Sequence, residues 1–99
     1  MIVVFSKEAT DDLELIAEAI AKESPRRAVS LLRGLRQGCE GLADMPRRFQ
    51  LVPRYEHMGV RRRVVGNYLV FYRVGEASVE ILHILYGARD YKQILFPEG

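Results

Sequence analysis

Residues 59–91 read GVRRRVVGNYLVFYRVGEASVEILHILYGARDY, and this stretch decides the architecture. It opens with three consecutive arginines, Arg61, Arg62 and Arg63, and then alternates apolar, β-rich runs with turn residues. Val60 to Val65 reads as a strand. Gly66-Asn67 forms a tight hairpin turn, because both residue types tolerate positive φ. Tyr68 to Val74 is a second strand, Gly75-Glu76-Ala77 turns the chain, and Ser78 to Tyr86 is a third. Tyr68, Val70, Tyr72 and Val74 lie on one face of the middle strand, with Leu69, Phe71 and Arg73 on the other. In the last strand, strict alternation puts Val79, Ile81, His83 and Leu85 opposite Leu82, Ile84 and Tyr86. Strands that are apolar on both faces need cover on both faces.

The cover comes from the N-terminal half. Ile2 to Phe5 is a short strand. Ser6 caps a helix carrying Glu8 in its first turn and Ala9, Leu13, Ile16, Ala17 and Ile20 on one face. Leu15 falls on the opposite side, outside that stripe. Ser24 caps a second helix with Pro25 at its first position, where the missing N–H costs nothing. Its stripe is Ala28, Leu31, Leu35, Cys39 and Leu42, and it ends near Asp44, before Pro46. Gly34, Gly38 and Gly41 run along one flank of that stripe. Each costs roughly 1 kcal/mol in a helix interior, so close approach of another backbone, the first helix above all, is the expected compensation. Residues 46–59 read as a loop. The expected fold is one α+β domain, residues 1–99, ordered β-α-α-β-β-β. A helical hairpin packs on one face of a small, mostly antiparallel sheet. Leu13, Ile16, Ile20, Leu31, Leu35, Leu42, Val70 and Tyr72 are expected in the core. The tail YKQILFPEG looks too short to cover the second sheet face, which would leave apolar surface for a partner.

Composition narrows the function. With 99 residues, 48% hydrophobic and 28% charged, the chain can bury one thin core. A single cysteine forms no intramolecular disulfide framework and suits a reducing compartment. The apolar start MIVVF is too short for a signal-peptide core, and no run approaches a membrane span, so a cytoplasmic protein is expected. The net charge is only +2, but residues 1–24 hold six acids against two lysines. Residues 25–63 hold ten arginines against three acids. That asymmetry points to an acidic partner, protein or nucleic acid. Residues 61–63 can serve it or be a solvated edge.

Chemistry is sparse. His57 and His83 stand apart, and one thiol makes no metal cluster. No glycine-rich phosphate loop precedes a helix. Metal-free RNA cleavage needs a base, cations and an acid. Arg61, Arg63, Arg73, Arg89 and Tyr91 supply cations and a hydroxyl, but no base stands beside them. No cofactor, metal or catalytic residue is expected.

The ordered set SKEATDDLELI, LADMP, RRVVGNYLVFYRV and VEILHILYGARD resembles the ParE/RelE toxin superfamily, and the ParE branch more closely. The resemblance spans essentially the whole chain. It implies the toxin of a two-gene toxin–antitoxin module. The toxin would poison DNA gyrase and be neutralised by a cognate ParD-like antitoxin, through an acidic helical segment, in a hetero-oligomer. No sequence-specific DNA binding by the toxin alone is implied. The alternative is a RelE-like, ribosome-dependent mRNA endoribonuclease. Such enzymes carry an arginine after the GxY tyrosine, where this chain has Leu69, and another after the last strand, where Arg89 matches. A third reading is a binding module that has lost toxicity. Histidine, usual before GARD, is replaced here by Tyr86. With the resemblance in view, Leu15, Arg61, Arg62, Arg63 and Arg73 are candidates for antitoxin contact. Arg89, Asp90, Tyr91, Lys92, Ile94, Leu95 and Phe96 are candidates for target contact.

Overall fold

A computed structural model describes residues 1–87 and 89–97. The elements are β1 (Ile2–Phe5), α1 (Lys7–Ala21), α2 (Pro25–Glu40), β2 (Val60–Val65), β3 (Tyr68–Val74), β4 (Ser78–Tyr86) and a short α3 (Tyr91–Leu95). The sheet order is β1-β4-β3-β2. β1 runs parallel to β4, and the other pairs are antiparallel. The expected α+β architecture is present. One element was not foreseen: α3 forms in the tail that looked only too short to cover the sheet.

Local chemistry sets the helix starts. The Ser6 hydroxyl accepts from Ala9 N at 3.0 Å, and the Ser24 hydroxyl from Arg27 N at 3.2 Å. Each satisfies one amide that the first turn leaves without an intrahelical partner. α2 tightens into a 3-10 turn over Gly41–Ala43, so the helical run ends at the predicted place.

The helical hairpin covers one sheet face. Leu13, Leu35, Cys39 and Leu42 are buried against Val70, Tyr72, Val79, Ile81 and Ile84. Ile16, Ile20 and Leu31, expected in this core, are only half-buried. The helical stripes face inward as predicted, but residues at their margins keep contact with solvent.

The alternation expected along β4 breaks midway. Phe71 pairs with His83 and Tyr72 with Ile81, so Leu82 is an extra residue in the strand. The bulge reverses the phase of the side chains. Val79, Ile81 and Ile84 therefore all pack on the helix side, while Leu82 and Leu85 join the cluster on the other face.

That second face is covered, contrary to expectation. Val52, Val60, Phe71, Leu85 and Phe96 form a buried cluster, with Tyr55, Leu69, Tyr91, Ile94 and Leu95 packed against it. The tail suffices because it coils into α3 and because the 46–59 segment folds back over the sheet. Leu51 bridges to Arg61, and Val52 N donates to Val60 O at 2.9 Å. The Phe96 ring stacks on Tyr55 with centroids 4.0 Å apart.

The glycine flank of α2 also faces a different neighbour than expected. A Cβ on Gly38 would lie 2.8 Å from Val65 Cγ2, and one on Gly41 would lie 3.1 Å from an Arg63 guanidinium nitrogen. The close approach is thus to β2, not to α1. Gly34 meets nothing within 4 Å.

Candidate functional site

The arginine run is the natural starting point. Side chains alternate across a strand, so Arg61 and Arg63 point to one side of β2 and Arg62 to the other. Arg61 Nη1 donates to Phe49 O at 2.7 Å and to Arg47 O at 3.1 Å. Arg63 Nη1 donates to Gly38 O at 2.7 Å, and its guanidinium lies 4.9 Å from the Phe49 ring centroid. Arg62 Nη1 donates to Tyr91 Oη at 2.8 Å. All three side chains are half-buried. The run is therefore a set of internal ties. It fastens the 46–49 loop, α2 and α3 to one strand, and the reading of a freely solvated cationic edge is corrected. A planar guanidinium with five donors suits this work, because it can satisfy carbonyls and keep further N–H groups for another acceptor.

The same region holds two groups that burial makes inert. Tyr72 Oη donates to Pro46 O at 2.6 Å, and burial raises its pKa. Cys39 is buried, and desolvation pushes its thiol up to about 12, against the weaker opposing pull of Arg63 and Arg36. A neutral, enclosed thiol is a poor nucleophile.

The other polar centre lies where β1 ends. Past Phe5, β4 has no strand neighbour on that edge, and α1 takes over its hydrogen bonds. Ser6 N donates to Ile81 O at 3.0 Å, and Ser6 Oγ to Leu82 O at 3.0 Å. Asp12 Oδ2 accepts from Ile84 N at 2.9 Å and contacts His83 Nδ1 at 2.8 Å. Asp12 and His83 side chains are 16% and 20% exposed. His83 is therefore a satisfied residue at the strand edge. Asp12 was not singled out from the sequence. Its position on the flank of the α1 apolar stripe was the available signal.

Beside this pair, α1 and the ends of β3 and β4 form an open groove. Asp12, Leu15, Ile16, Ala19 and Ile20 line one wall. Tyr68, Ile84, Leu85, Tyr86 and Arg89 line the other. Leu15 is 65% exposed and Tyr86 50%. The groove joins Leu15 and Arg89, which the sequence had assigned to different partners. Its lining is mostly apolar, with Asp12 and Arg89 as the charged residues.

The remaining candidates separate. Arg89 and Asp90 are exposed at the start of the tail, and Arg89 N donates to Tyr86 O at 3.0 Å. Tyr91 packs on Phe71 with centroids 4.8 Å apart, Lys92, Ile94 and Leu95 are half-buried, and Phe96 is buried. Most of the tail thus closes the sheet. Arg73 is exposed at the end of β3, opposite Glu80 of β4 and Val60 of β2, away from the groove. Ala88, within the GARD motif, and Glu98 and Gly99 lie outside the described residues. Among the described residues, no cluster of three or more histidine, cysteine or carboxylate side chains is placed to hold a metal, and no helix is long and apolar enough to cross a membrane.

Comparison with known proteins agrees with the fold. A solved structure described as the chromosomal ParDE TA system from P. aeruginosa is similar to this chain. The TM-score is 0.72 at 19% identity, over 87% of this chain and 95% of that one. This likeness shows a shared fold. No curated protein sequence matches the chain. The family model for the ParE toxin of type II toxin–antitoxin systems, parDE, matches residues 3–91. That match takes in both long helices, β1 from its second residue, the other three strands and the first residue of α3, and the chain belongs to the ParE toxin family.

Proposed function

We propose that this chain arrests growth by binding DNA gyrase and trapping its cleaved DNA complex, and that a ParD-like antitoxin holds it inactive. The observation that supports a binding mechanism over RNA hydrolysis is the fate of the polar groups. The described histidine–carboxylate contact, Asp12 with His83, is engaged in capping the edge of β4. Leu69, at the position where RelE-like enzymes carry an arginine, packs into the apolar cluster behind β3. Cations without a positioned base stabilise phosphate charge but do not activate a 2′-hydroxyl.

In this reading the antitoxin lays an amphipathic segment into the groove lined by Leu15 and Tyr86. Its carboxylates meet Arg89, which lines the groove; Arg61, Arg62, Arg63 and Arg73 lie away from it and engage other parts of the antitoxin. Charge-assisted, bidentate pairing makes such contacts salt-sensitive and selective. Target contact then involves the exposed start of the tail, Arg89 and Asp90, with Tyr91, Lys92 and Ile94 to Phe96 supporting it from the sheet.

The test is a purified assay of gyrase with supercoiled DNA. The expected result is accumulation of cleaved DNA, reduced by Arg89→Ala and suppressed by the antitoxin. Cleavage of mRNA on purified ribosomes, with no effect on gyrase, overturns the reading in favour of the nuclease. Activity in neither assay by the folded chain overturns both.

A further inference from the structure

The two helices of the hairpin carry opposite charge on the sides turned away from the sheet. α1 holds five acids against one lysine, and α2 holds four arginines against one acid. The exposed residues follow helical spacing. Among them, Asp11, Glu14, Leu15 and Glu18 share one side of α1, and Arg26, Val29 and Arg33 one side of α2. Leu15 is 65% exposed and Val29 56%. Among the described residues, Glu14, Glu18, Arg26 and Arg33 have no ion-pair partner within the chain, while Asp11 is already bonded to Lys7.

We infer that this outer face is a self-complementary docking surface for a second copy of the chain. Consider a two-fold axis lying between two hairpins and parallel to their helices. Such an operation sets α1 of each copy against α2 of the other and keeps heights along the axis unchanged. Glu14 lies nine residues before Glu23 and Arg33 ten after it; Glu18 lies five before and Arg26 three after. In a hairpin folded back at that point, each acid therefore stands within roughly 3 Å of the height of an arginine, at about 1.5 Å rise per residue. Both contacts recur by symmetry, as an isologous interface requires. Leu15 and Val29 supply the apolar anchors that exposed ion pairs lack. The alternative arrangement, with like helices facing, sets acid against acid and arginine against arginine. Electrostatics thus selects one docking. Glu14, Glu18, Arg26 and Arg33 lie outside the groove assigned to the antitoxin, but Leu15 lines it, so a second copy and the antitoxin compete for that residue.

The experiment is sedimentation equilibrium of the isolated chain at low and high salt, with two variants. Glu14→Arg with Glu18→Arg puts arginines at both α1 contact positions, opposite the arginines of α2. Arg26→Glu with Arg33→Glu puts glutamates at both α2 contact positions, opposite the glutamates of α1. All four changes lie on the solvent side, and circular dichroism checks that each variant folds. The expected result is a dimer at low salt that weakens as salt rises. Each variant alone should dimerise roughly tenfold or more weakly. An equimolar mixture of the two should restore association, because acidic and basic positions then face each other in both contacts. A wild-type monomer at low salt overturns the inference. So does dimerisation unaffected by either variant, or a mixture that stays monomeric. A wild-type monomer that instead binds duplex DNA through Arg26 and Arg33 would reassign the face to nucleic acid and overturn it equally.

Discussion

Asp12 of α1 holds His83 of β4 at 2.8 Å, and the same carboxylate oxygen accepts from the amide of Ile84 at 2.9 Å. One side chain thereby replaces the strand neighbour that β4 loses when β1 ends at Phe5. A strand edge left with an unpaired buried amide is costly, and a helix with one acid on its flank removes that cost. Asp12→Ala should destabilise the fold by about 1–3 kcal/mol, because Ile84 N and His83 both lose a partner. Urea unfolding measures it. A change within about 0.5 kcal/mol would show that water replaces the carboxylate without penalty.

The glycines of α2 give a paired test. Gly34 faces open space, so Gly34→Ala should stabilise the helix by up to about 1 kcal/mol. Gly38 carries the opposite expectation. Its Cβ would meet a stiff, β-branched Val65 at 2.8 Å, and Gly38→Ala should be destabilising despite the better helix propensity. Equal effects at the two positions, read from thermal unfolding, would contradict the approach of α2 to β2.

Cys39 makes stability pH-dependent on the alkaline side. Its thiol is pushed from an ordinary 9.0 to about 12 in the fold by burial. The unfolded chain therefore ionises first. The contribution is fully present below pH 9 and is lost as pH rises toward 12, at about 1.4 kcal/mol per pH unit within that window. Comparing wild type with Cys39→Ala between pH 8 and pH 10 isolates the effect from the tyrosines and lysines. The wild type should lose more stability over that range, and parallel curves would show that the thiol is not desolvated.

Leu35 is fully buried between the helices and the sheet. Leu35→Ala should cost about 2–5 kcal/mol by chemical denaturation. A cost below about 0.5 kcal/mol would place this face of α2 at the surface.

Arg63 ties β2 to the end of α2 through Gly38 O and stacks on Phe49. Arg63→Ala should cost about 1–2 kcal/mol, and Arg63→Lys should recover only part of it, because an ammonium cannot stack and reach as the planar fork does. Full recovery by lysine would reduce the tie to a point charge. Any loss of antitoxin affinity in these variants therefore needs comparison at equal folded fraction.

Much of the fold was legible in the linear sequence. Ser6 and Ser24 mark helix starts because a hydroxyl beside the free amides of a first turn works the same way in any context. The hairpin turns and the inward stripes of both helices follow from local geometry alone, and the ordered motifs carry the family. What only the tertiary structure decided depends on contacts between distant segments. The Leu82 bulge appears only in the pairing of β3 with β4, and it moves Ile84 to the helix face. Arg61, Arg62 and Arg63 look alike in sequence, yet each finds its acceptor in a different distant segment, at Phe49, Tyr91 and Gly38. Asp12 reads as one acid among six until β4 ends up beside it. Residue type fixes what a side chain can donate or accept; only folding brings together the groups that decide with whom.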